Sequence, residues 1–199
     1  MHMPKCGGRS IEALLKQRFS RNFLRINGNH ISPSLNAENH VSLNNQYVKS
    51  MLFALRPECC IYGHFPAFNL HVFGKKFVFL RNPLDRIISE YYFFKNKGHQ
   101  NICGSLEDYI KNYPRGIYRR SISNLPPESI DYIGIFEDFE ASVERLCHML
   151  GIEAIAPRLN ETTYPKNYGK KNYKYMEHYL SEDFDIYESF YVEANKRYR

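Results

Sequence analysis

The sequence has no CxxC pair and none of the Cys/His spacings that hold zinc. Its five cysteines are an odd number; Cys6, Cys103 and Cys147 are scattered and only Cys59 and Cys60 adjoin. That usage excludes the signature of a zinc module and reads as reduced thiols of a cytoplasmic protein. No stretch approaches the ~20 consecutive apolar residues of a membrane-spanning helix. The polar, glycine-containing start lacks the apolar centre of a signal peptide. Internal repeats and long linkers are absent as well.

What is present fits one domain over residues 1–199, long enough to bury a core. Apolar residues make up 43% and aromatics 15%, which excludes disorder throughout. The net charge of +6 suits a polyanionic partner: a phosphorylated nucleotide, an acidic glycan, nucleic acid or an anionic surface. Charge alone does not choose among them.

Strand-like and helix-like segments alternate, which predicts an α/β fold with a mainly parallel sheet. Ile11, Leu14, Leu15 and Phe19 recur at helical spacing and predict a helix over Ser10–Phe19, with Ser10 as its cap. Short strands are expected at Asn22–Ile26, Cys59–Gly63, Lys76–Leu80 and Tyr132–Phe136. Asn29–Asn45 is polar and irregular, and Asn44–Leu55 reads as a helix. After Leu80 a helix must follow at once, capped by Asn82, with Pro83 at its first position and Asp85 in its first turn. Further helices are expected at Leu106–Tyr113, at Glu140–Leu150 with Gly151 as the stop, and over Tyr175–Tyr198. Pro165–Lys174 reads as a Lys/Tyr/Asn-rich loop.

Two segments carry chemistry. His2-Met3-Pro4-Lys5-Cys6-Gly7-Gly8-Arg9-Ser10 runs into the first helix. Small residues let the backbone curl with its N–H groups inward, and a helix start adds more N–H groups and a positive dipole end, which together make an anion site. Lys5 adds a full charge at the rim and Arg9 a second. The plainer reading is a tight Gly-Gly turn before an ordinary helix. The common nucleoside-triphosphate loop, G-x-x-x-x-G-K-S/T, is excluded because here the lysine precedes the glycines.

The second segment is Leu80-Arg81-Asn82-Pro83-Leu84-Asp85-Arg86-Ile87-Ile88-Ser89-Glu90-Tyr91-Tyr92. Arg81 ends a buried strand at the carboxyl edge of the sheet, where open α/β sheets bind ligands. Its guanidinium suits bidentate phosphate contact, and Ser89, two turns into the helix, offers a hydroxyl. The plainer reading makes Arg81 a salt-bridge partner and Ser89 a filler. Arg86 reads as a surface or ion-pair residue, Glu90 as an exposed charge, and the aromatics Tyr91–Phe94 as core.

Together these segments resemble the carbohydrate sulfotransferases related to the heparan sulfate 2-O-sulfotransferases. His2–Ser10 resembles their His-Ile-Pro-Lys motif with its small residues and Thr-Ser end, and Arg81–Tyr92 their Arg-Asp/Asn-Pro motif that continues into Arg-x-x-Ser-x-Tyr/Phe-Tyr. Tyr132–Glu137, followed by Leu146 and Leu150-Gly151, looks like their late strand–helix unit. The resemblance implies a P-loop-like three-layer fold with a central, mainly parallel sheet flanked by helices. It implies that Lys5, Cys6, Gly7, Gly8, Arg9 and Ser10 hold the 5′-phosphosulfate of 3′-phosphoadenosine 5′-phosphosulfate, that Arg81 and Ser89 hold its 3′-phosphate, and that Asn160 and Thr162 contact the nucleotide. The implied acceptor is a carbohydrate or glycan, with no nucleic-acid partner and no metal. Three departures stand out. Only Met1 precedes His2, so the family's first strand is expected to be clipped here. Arg9 stands in place of the usual Thr. The chain is shorter than the glycosaminoglycan enzymes, so part of their acceptor groove is expected to be missing.

Sulfuryl transfer needs a base for the acceptor hydroxyl and a cation for the leaving oxygen. The family places a Gly-His where this chain has Tyr62-Gly63-His64-Phe65-Pro66, so the resemblance makes His64 the base, with Lys5 stabilising the leaving group. His71 is the second choice, and His2 reads as a packing residue. Rival readings are a phosphoryl transferase, disfavoured by the misplaced lysine; a basic polyanion or glycan binder, suggested by Lys166–Tyr175; and a degenerate, non-catalytic family member. An anchor outside this stretch would make the Golgi lumen the alternative to the cytoplasm.

Overall fold

The computed structural model describes residues 3–27, 58–64, 74–98, 104–113, 116–122, 125–153 and 170–198. In chain order the elements are helix α1 (Gly8–Phe19), strands β1 (Phe23–Asn27), β2 (Cys60–His64) and β3 (Phe77–Leu80), helices α2 (Pro83–Asn96), α3 (Leu106–Lys111) and α4 (Ile117–Ile122), strand β4 (Tyr132–Ile135), helix α5 (Phe139–Leu150), a 3-10 segment (Lys170–Leu180) and helix α6 (Ser181–Tyr198). The expected helix over Asn44–Leu55 and the polar stretch Asn29–Asn45 lie outside the described residues.

Among the described residues the strands form two parallel pairs. β1 lies beside β2, from Phe23 opposite Cys60 to Asn27 opposite His64. β3 lies beside β4, from Phe77 opposite Tyr132 to Leu80 opposite Ile135. Parallel strands are covered on both faces, so they read as continuous apolar runs. All four residues of β4 and the last three of β3 are accordingly buried. Gly134 admits the Phe79 ring, since a Cβ there would come within 2.4 Å of it.

One apolar cluster joins Met3, Cys6 and the inner face of α1 to Tyr62, β3, β4, α5 and α6. A second joins Leu84, Ile87, Ile88 and Tyr91 of α2 to α3 and to Met176 and Leu180. The apolar face of α2 is therefore covered by α3 and the 3-10 segment.

Three sequence expectations are corrected here. The first helix begins at Gly8, not after a Ser10 cap; its N-cap is Gly7, held in the left-handed region, with no side-chain cap. Ser10 is inside the helix and buried, so its hydroxyl is not the capping group. Residues 170–174, expected in a loop, belong to the 3-10 segment. The helix α4 had no expectation at all. By contrast, the Asn82 carboxamide oxygen accepts from the N–H groups of Leu84 at 3.1 Å and Asp85 at 3.3 Å, as its position before Pro83 requires. Gly151 ends α5 with φ 61°, the left-handed stop that glycine favours.

Candidate functional site

The first motif enters α1 through a sharply bent backbone. Lys5 has φ 65° and Gly7 φ 74°. Such angles are easy for glycine and cost a side-chain-bearing residue roughly 1–2 kcal/mol. At Gly7 space adds to conformation: a Cβ would stand 2.4 Å from the Phe139 ring. The Gly7 carbonyl accepts from the N–H groups of Ser10 and Ile11 at 3.1 and 3.2 Å, which starts α1 directly behind the bend. A helix start presents N–H groups that have no acceptor within the helix, next to the positive end of its dipole. Gly8 is buried and Arg9 exposed. Cys6 is fully enclosed, its Sγ 3.9 Å from the Tyr118 hydroxyl, and burial pushes its thiol up to about 12. The thiol therefore stays protonated and belongs to the core.

The second motif meets the first at the end of β3. Arg81 Nη1 donates to the Lys5 carbonyl at 3.2 Å, although the two residues are 76 positions apart. The guanidinium lies 4.4 Å from the centroid of Phe136, the residue that follows β4. One residue further on, the Asn82 N–H donates to the Glu137 carboxylate at 2.7 Å, and the Tyr187 hydroxyl donates to the same carboxylate at 3.1 Å. The third motif-like patch thus supports the turn from β3 into α2. Ser89 is buried in the second turn of α2. Phe93, four residues on and so on the same face, has Lys5 Nζ over its ring at 3.9 Å and Lys97 Nζ at 4.3 Å.

Positive charge is concentrated here. Burial, then the Arg81 guanidinium, lower Lys5 to about 8, and Lys97 acts in the same direction, while Glu90 opposes them. An ammonium pressed by neighbouring cations is stabilised by any anion that enters. A bent Gly loop, a helix start and two neighbouring cations, Lys5 and Arg81, are elements from which anion sites are built.

Arg86 corrects its sequence reading in part. It does form an ion pair, Nη1 to Glu90 at 2.9 Å, but it is wholly buried rather than on the surface. Its Nε and Nη2 make no hydrogen bond among the described residues, and the rings of Tyr113 and Tyr118 stand 5.1 and 6.0 Å from it. Glu90, expected to be exposed, is held by Arg86 and by the Tyr113 hydroxyl at 2.9 Å. The Tyr91–Phe94 aromatics divide: Tyr91 is in the core, and the other three are half-buried.

His64 is the last residue of β2, opposite Asn27. Two residues earlier the Tyr62 hydroxyl donates to the Gly8 carbonyl at 2.5 Å, which ties β2 to the first turn of α1. The His64 side chain, Asn160, Thr162, His2 and His71 lie outside what the structure describes. Sequence reasoning missed Phe93, Phe136, Glu137 and Tyr118 as supports of the site. Phe136 and Glu137 were within reach, since they end the third motif-like patch. Tyr118 sits on a six-residue helix with no sequence signal.

The sequence model described as Sulfotransferase family matches residues 1–189 of the chain. No curated protein matches it.

Proposed function

We propose, from the premise that this chain belongs to the sulfotransferase family, that it transfers a sulfuryl group from 3′-phosphoadenosine 5′-phosphosulfate to a hydroxyl of a carbohydrate or glycan. The supporting observation is the meeting of the two motifs, Arg81 Nη1 against the Lys5 carbonyl at 3.2 Å, with the Lys5 ammonium beside them. In this reading the family's P-loop-like three-layer fold is completed around the two parallel strand pairs, as a single domain.

The loop Lys5–Ser10 receives the 5′-phosphosulfate, and Arg81 with Ser89 receives the 3′-phosphate. Asn160 and Thr162 add contacts to the nucleotide. In the transfer an acceptor oxygen forms a bond to sulfur while the bond from sulfur to the 5′-phosphate oxygen breaks. The acceptor's proton passes to His64 as base, and 3′-phosphoadenosine 5′-phosphate leaves. Lys5 offsets the charge that develops on the departing oxygen. With Lys5 and the loop supplying that charge, the reaction proceeds without a divalent cation.

The test is transfer of sulfur label from the donor to a panel of glycans in buffer containing EDTA. Labelled glycan and free 3′-phosphoadenosine 5′-phosphate should appear in equal amounts. His64→Ala should lower turnover by about 10²–10⁴-fold while donor affinity holds. A strict magnesium requirement would point to phosphoryl-type chemistry instead. Glycan binding that His64→Ala leaves intact, with no turnover in either protein, would mark a non-catalytic binder.

A further inference from the structure

We infer that Tyr118 is a positioning residue: its hydroxyl fixes the main chain of Arg81 and thereby aims the Arg81 guanidinium at the 3′-phosphate. This rests on the functional reading above. Tyr118 lies outside both motifs, on α4, and is completely buried. Its hydroxyl uses both of its capacities on one residue. It donates to the Arg81 carbonyl at 2.5 Å and accepts from the Arg81 N–H at 3.2 Å. The β3–β4 ladder ends at Leu80 opposite Ile135, so Arg81 is the first residue past it. There the Tyr118 hydroxyl stands where a neighbouring strand's main chain would otherwise be.

The same hydroxyl lies 3.9 Å from Cys6 Sγ, so it touches the first motif as well. Tyr118 is itself anchored. Its N–H donates to Asp183 Oδ1 at 2.9 Å and the Ile117 N–H to Oδ2 at 3.2 Å, and Asp183 is a buried residue of α6. A chain of hydrogen bonds therefore runs from α6 through α4 to the end of β3. Burial raises the Tyr118 hydroxyl well above its ordinary value, so the donor persists across the working pH range. A ring that only filled space would not need a hydroxyl engaged at both Arg81 main-chain groups.

The distinguishing experiment compares two ligands on wild type and Tyr118→Phe: 3′-phosphoadenosine 5′-phosphate, and adenosine 5′-monophosphate, which lacks the 3′-phosphate. Tyr118→Phe should weaken the first about five- to tenfold and the second by less than about twofold. The loss should also vanish in an Arg81→Ala background, because the two residues act through one contact. Equal weakening of both ligands, or of neither, overturns the proposal. In parallel, amide hydrogen exchange at Arg81 should quicken in unliganded Tyr118→Phe; unchanged exchange overturns the hold irrespective of ligand. Should wild type bind both nucleotides alike while that exchange quickens, the 3′-phosphate reading fails and the hold on Arg81 stands. If Tyr118→Phe does not fold, Asp183→Asn, which loosens the anchor and keeps the hydroxyl, should show the same ligand-selective loss to a smaller degree.

Discussion

Lys5 is where conformation, electrostatics and chemistry meet. Its backbone is left-handed, its ammonium rests on Phe93, and burial with the nearby Arg81 lowers it to about 8. The sign of the consequence follows from proton counts. An unfolded lysine titrates near ~10.4, so between about 8 and that value the unfolded chain binds more protons than the folded one. Stability of the unliganded protein therefore rises with pH across this window. Affinity for 3′-phosphoadenosine 5′-phosphate should do the opposite and fall, approaching about tenfold per pH unit above 8 if only charged Lys5 binds. The nucleotide's phosphates titrate around pH ~6, below this window, so the slope belongs to the protein. Calorimetry at pH 8 in buffers of different ionisation enthalpy should detect proton uptake on binding, and Lys5→Gln should abolish both the uptake and the slope.

At the scale of elements, α2 is the main carrier. Asn82 starts it, Ser89 and Phe93 share a face with the Phe93 ring under the Lys5 ammonium, and the buried Arg86 pairs with Glu90. Removing one member of a buried pair leaves the other uncompensated, which costs about 3–5 kcal/mol. Glu90→Gln should lower unfolding stability by about that range in urea titration. The exposed pair Arg119–Glu182, at 2.9 Å, is a contrast: Arg119→Gln should change stability by no more than about 1 kcal/mol. If the two variants behave alike, the burial argument for Arg86 is wrong.

The elements also explain what could be read in advance. Asn82-Pro83 and Gly151 announce helix ends because their effect is local: a side-chain acceptor for orphan N–H groups, a residue that tolerates positive φ. The helix α1 starts two residues before the Ser10 that the sequence offers as its cap, because Gly7 opens it with its backbone and Ser10 packs inside. Arg86 and Glu90 looked solvated because charge usually is. They are packed by Tyr113, just past the end of α3, and by Tyr118 of α4, which come from later in the chain and leave no trace in the local pattern. The same holds for Phe93, whose role under Lys5 appears only when residues 88 positions apart in sequence are brought together, a separation roughly that of Lys5 and Arg81.

For the whole molecule, three separate stretches of sequence converge on one place. The Lys5 loop, the end of β3 with α2, and the Phe136–Glu137 turn touch through Arg81 and Asn82. All three stretches lie within residues 1–189, the region that the family model matches. The net charge of +6 favours an anionic ligand overall, while the site supplies the local geometry. The measurement that tests the central claim most directly is calorimetric binding of 3′-phosphoadenosine 5′-phosphate in EDTA to wild type and Arg81→Ala. Loss of a charged hydrogen-bond donor of about 1.5–3 kcal/mol predicts clear wild-type binding that Arg81→Ala weakens by about ten- to a hundredfold. Equal affinity in the two proteins, or binding by neither, would contradict the assignment.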